Sequence, residues 1–62
     1  MTDKIKTYRN GWAASLQKFT GSDYYVAAVL NAEGRVHDRI MIDDYRMARE
    51  YYRAFQSIAK AA

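Results

Sequence analysis

The chain changes its hydrophobic period once, at Asp43, and that change constrains its fold more than any other feature. Beyond it Ala48, Tyr51, Tyr52, Phe55, Ile58, Ala59 and Ala62 recur at intervals of three and four, the apolar stripe of an amphipathic helix. Before it, from Tyr24 to Ile42, apolar residues run together or alternate with polar ones, which is strand patterning. Asp43 or Asp44 supplies an N-cap and puts negative charge at the positive end of the helix dipole, while Lys60 complements the other end. The predicted helix covers about 44–61. At 1.5 Å per residue it is a rod of roughly 26 Å, long enough to cross a small sheet diagonally.

Three strands are predicted ahead of that helix, over about 4–19, 24–31 and 35–42. Thr20, Gly21, Ser22 and Asp23 separate the first from the second as a cluster of turn formers. Asn31-Ala32-Glu33-Gly34 suits a type I turn, with Asn31 bonding its own backbone and Gly34 accepting a positive φ. Asn10-Gly11 is read as a bulge within one long first strand. A tight hairpin turn at the same dipeptide, giving four strands, is the alternative. The expected fold class is therefore α+β: a three-stranded antiparallel β-meander, four-stranded under the alternative, packed on one C-terminal α-helix.

A single helix covers one face of such a sheet and leaves the other open. Counting by two turns Ala14, Leu16, Val26, Ala28, Leu30, Val36, Ile40 and Ile42 towards the helix. The open face then collects Ser15, Gln17, Tyr25, Ala27, Val29, Arg35, His37 and Arg39. Arg35 and Arg39 stand two pleats apart, at about 13 Å, a spacing compatible with successive phosphates or base edges. Gln17, Tyr25, Arg35, His37 and Arg39 are accordingly the candidate nucleic-acid or partner-binding residues. A solvated face carrying charge for solubility explains the same pattern. Arg46, Arg49 and Arg53 form a secondary basic stripe on the helix, partly accounted for by local pairing with Glu50.

Size limits the chemistry. The 62 residues make a single domain over 1–62, with no cysteine and no proline and a net charge of +3. A chain this short buries roughly 60% of its unfolded surface, so self-association as a homodimer would supply burial that folding alone does not. Little interior remains for a catalytic cleft, and no enzyme activity is expected. Asp38 is predicted to project away from His37 on the strand, so no catalytic dyad is assigned. Asp43 and Asp44 read as caps rather than metal ligands, and no metal or cofactor is expected. The segment MTDKIKTYRN lacks the apolar run of a signal peptide, and nothing approaches the ~18 apolar residues of a membrane span. A cytoplasmic location and no membrane partner are the expectation.

The segment VAAVLNAEGRVHDRIMIDDYRMAREYYRAF, about half the chain, resembles the AP2-type DNA-binding domain and the N-terminal arm-binding domain of phage-type integrases. The resemblance rests on an apolar strand, a Gly-containing turn, a strand ending in an aliphatic-Asp step, and a helix with Ala48 and Tyr52 in the matching spacing. It implies a β-β-β-α unit that lays its sheet in the DNA major groove, with Arg35, His37, Arg39, Tyr25 and Gln17 towards the DNA. The first strand departs from that pattern, since GWAASLQKF carries one lysine where the family is arginine-rich.

Two functions follow as expectations. The first is a small non-enzymatic module docking on another protein or a nucleoprotein complex, such as a phage or mobile-element regulator or inhibitor of the anti-CRISPR kind. The second is a DNA- or RNA-binding domain using a basic outer sheet face.

Overall fold

A computed structural model describes residues 3–62. Its elements run β1 (Lys4–Thr7), β2 (Ala13–Lys18), β3 (Tyr25–Leu30), β4 (Val36–Ile42) and α1 (Tyr45–Ala61), and the strands form one antiparallel sheet in the order β1-β2-β3-β4. The α+β class and the C-terminal helix are as the sequence predicts. The sheet has four strands, because Asn10-Gly11 ends a strand instead of bulging it.

That turn is a three-residue loop. Gly11 N–H donates to the Tyr8 carbonyl at 2.9 Å and Tyr8 N–H to the Trp12 carbonyl at 2.8 Å, with Gly11 at φ 89°. The Asn31–Arg35 turn repeats the pattern: Gly34 N–H donates to Asn31 O and Asn31 N–H to Arg35 O, both at 2.9 Å, with Gly34 at φ 81°. Both match a type I turn closed by a glycine in the left-handed region. Asn10 explains the preference for a turn over a bulge. Its Oδ1 accepts from Trp12 N–H at 2.9 Å, and its Nδ2 donates to the carbonyls of Ala59 and Ala62 at 2.8 and 2.9 Å. One side chain therefore closes the hairpin and satisfies carbonyls that the helix C-terminus leaves unpaired.

At the other end of the helix Asp44 is the N-cap. Its carboxylate accepts from the N–H groups of Arg46 and Met47. The helix lies on β2, β3 and β4. Ala14, Leu16, Ala27 and Val29 from the sheet meet Ala48, Phe55 and Ala59 from the helix in the core, flanked by Tyr8, Trp12, Tyr25, Ile40, Ile42, Tyr45 and Tyr52. Tyr51 and Ile58, expected within the apolar stripe, are instead exposed. Among the described residues no helix is long and apolar enough to cross a membrane.

The facing of β3 is the reverse of the expectation. Register pairs Ala14 with Val29 and Leu16 with Ala27, so Tyr25, Ala27 and Val29 look towards the helix and Val26, Ala28 and Leu30 away from it. Alternation could not decide this, because YVAAVL is apolar at both parities. Within β4 the facing changes at a feature with no sequence signature. Asp38 pairs with Val29, but the next pair is Val36 with Leu30, which leaves His37 as the extra residue of a bulge. The bulge turns Val36 outward and sets His37 on the helix side, where its ring meets Trp12 edge-on at 5.1 Å. His37 and Asp38 consequently share a side, contrary to the simple count by two.

Candidate functional site

The bulge also separates the residues that sequence patterning grouped together. Arg39, in register with Ala28, stays on the open face, and Gln17 joins it beside Val26 and Met41. Tyr25 packs against the core on the opposite side, its ring 5.2 Å from that of Tyr45. His37 is held against Trp12, and Arg35 lies in the turn, where its N–H donates to Asn31 Oδ1 at 3.0 Å. Of the five proposed contact residues, the structure keeps Gln17 and Arg39 together on the open face and sends Tyr25 and His37 elsewhere.

What the open face presents is mainly apolar. Its rows read Thr7, Ala13, Leu30 and Val36; then Ile5, Ser15, Ala28 and Arg39; then Gln17, Val26 and Met41. Phe19 and Tyr24, joined by a backbone bond from Phe19 N–H to Tyr24 O at 3.1 Å, continue it past the strand ends. Ile5 is 67% exposed, Val36 56% and Met41 48%. Among the described residues, Arg39 is the one charged side chain that the strands place there. Sequence reasoning missed this surface because it placed Val26, Ala28, Leu30 and Val36 beneath the helix.

The helix carries different chemistry on its two flanks. At 100° per residue, Arg49, Arg53 and Lys60 fall on the flank towards β1, with Arg46 at its margin. Met47, Tyr51, Ala54 and Ile58 fall on the opposite flank. On the basic flank Arg49 lies over the Tyr45 ring at 5.9 Å and Lys18 over the Tyr25 ring at 6.0 Å. Tyr52, partly buried between sheet and helix, has its hydroxyl pKa raised above the ordinary tyrosine value, first by loss of hydration and second by the neighbouring Tyr8. Among the described residues no group of three or more His, Cys, Asp or Glu is placed to hold a metal ion. Asp43 and Asp44 sit at the start of the helix, and Asp44 is committed to capping.

Compared with known proteins, the chain matches no family model, no curated protein and no solved structure.

Proposed function

We propose that this chain is a small non-enzymatic binding module that docks on another protein, free or within a nucleoprotein complex, through the open face of its sheet. One observation carries the reading. Of the eight large hydrophobic residues exposed among the described residues, Ile5, Phe19, Tyr24, Val36 and Met41 belong to that single face. Strand spacings make it roughly 15 by 20 Å in plan, and contiguous apolar patches of a few hundred Å² are the size at which a surface marks an interaction.

Arg39 gives the face its polarity. An arginine fork beside Ala28, within an apolar surround, is matched by a partner that brings a carboxylate to it. A second copy of the chain would bring another Arg39 instead, which favours a different protein as the occupant. A phage or mobile-element regulator or inhibitor is the biological class that suits a module of this size with one adhesive face.

The test compares the wild type with Val36→Asp and Met41→Asp, both at exposed positions and so expected to fold. A partner recovered from host extract is identified, purified and recombined with each form. The reading expects a complex that persists at high salt and weakens at least about tenfold in both variants, the loss of roughly 1.4 kcal/mol or more that a central contact residue contributes. An affinity unchanged by both substitutions, or sedimentation showing the face filled by a second copy, overturns it.

A further inference from the structure

The groove between β1 and the helix has the opposite character to the open sheet face. The helix packs on β2, β3 and β4 and leaves β1 beyond its footprint. All four β1 residues, those on the side next to the helix included, are exposed. Pairing with Leu16 and Ala14 puts Lys4 and Lys6 on that side, at positions where a covered strand would carry apolar residues. Across the gap, Arg49, Arg53 and Lys60 lie within about 40° of one another around the helix. Their flank continues into two adjoining hollows. Tyr8, Arg53, Gln56, Ser57 and Lys60 line one of about 310 Å³, and Tyr8, Arg9, Asn10, Lys60 and Ala62 line one of about 340 Å³. No acidic residue lines either.

We propose that this groove binds the phosphodiester backbone of single-stranded nucleic acid, with Lys4, Lys6, Arg53 and Lys60 meeting phosphates and Tyr8 offering its ring to a base. Cations tracking a groove whose floor holds an aromatic ring are the elements used for single-strand binding. The dimensions agree. Arg53 to Lys60 spans about 10 Å of helix at 1.5 Å per residue, the length of roughly three nucleotides stacked at 3.4 Å. A membrane is the poorer fit, because lipid surfaces are met by cations beside insertable apolar groups, and Met47, Tyr51 and Ile58 lie on the far flank of the helix.

The experiment is fluorescence anisotropy with labelled oligo-dT and oligo-U of about 12 nucleotides, within the span of known single-strand sites, against a duplex of the same length and inorganic polyphosphate as competitor. Four phosphate contacts predict a slope of about −3 for log affinity against log salt. Lys6→Glu with Arg53→Glu is expected to weaken binding at least tenfold and to flatten the slope by about 1.4. Arg35→Glu with Arg39→Glu changes net charge equally but lies outside the groove, and is expected to cost only the smaller, salt-screened long-range term. Circular dichroism confirms that each form is folded. Equal losses in the two pairs would reduce the effect to net charge. That result, the absence of binding at low salt, preference for the duplex, or polyphosphate binding as tightly as the oligonucleotides would each overturn the assignment.

Discussion

The two faces of this sheet hide their central residues by different means. On the helix side Leu16, Ala27 and Val29 are wholly buried beneath Ala48, Phe55 and Ala59. On the open side Ser15, Val26 and Ala28 are almost as hidden, at 7%, 8% and 6% exposure, yet among the described residues no element lies over them. Their shade comes from longer neighbours in the same rows, Gln17, Arg39 and Met41. Folding completes the first burial, whereas the second leaves an apolar rim for association to complete. The same strands thus serve stability with one set of side chains and binding with the other.

Truncating one residue from each face breaks the comparison or sustains it. Leu16→Ala is expected to cost about 3 kcal/mol, since a buried leucine reduced to alanine loses its transfer energy and leaves a cavity. For a domain of this size, whose whole stability is on the order of 3–9 kcal/mol, that is a large fraction. Val26→Ala is expected to cost only about 1 kcal/mol, because the neighbours that shade Val26 are free to close over the gap. Urea melts of both variants measure the difference. Equal losses would mean that the open face is packed as tightly as the core, and would remove the reason to expect a partner there.

The helix holds its position over the covered face by a contact at each end, and these provide the next two tests. Asn10→Ala removes two hydrogen bonds to helix carbonyls and one from Trp12 N–H. At about 1 kcal/mol or less for each partly exposed bond, the expected cost is roughly 2 kcal/mol. Hydrogen exchange should locate the loss at the helix C-terminus and in the β1–β2 hairpin together; a loss confined to the hairpin would show that the helix is held by packing alone. Asp44→Ala removes the N-cap, for about 1 kcal/mol, with weaker protection expected over the first helical turn only.

These contacts also mark the limits of what patterning reveals. The helix was legible because its stripe and caps are local, and the Asn31–Gly34 turn because Asn31 and Gly34 take the roles their chemistry suggests. Asn10-Gly11 carries a similar signal, but the choice between turn and bulge depends on carbonyls 49 and 52 residues away. β3 is apolar at both parities, so the orientation of its faces is decided by register with β2 and leaves no trace in its own sequence. The bulge at His37 removed one of the proposed contact residues from the open face and turned Val36 onto it. Of the basic stripe on the helix, the sequence showed the residues but not their position opposite Lys4 and Lys6, since β1 was read as the beginning of a longer strand.

The smallest expected effect lies at the border between the covered face and the basic groove, where Tyr52 meets Tyr8. Burial first, and Tyr8 second, raise the Tyr52 hydroxyl pKa in the folded protein. In the unfolded chain a tyrosine ionises near pH 10. Below that pH the hydroxyl is protonated in both states and pH leaves its contribution unchanged. As pH rises through the unfolded value, the unfolded chain releases the proton first, and stability falls until the folded pKa is also passed. Tyr52→Phe keeps the ring in place and removes the titrating group, so its melting temperature should decline less steeply than that of the wild type above about pH 10. Superimposable declines would show Tyr52 to be as well hydrated in the folded state as in the unfolded one. A shallower decline in the variant would place Tyr52 with the covered face.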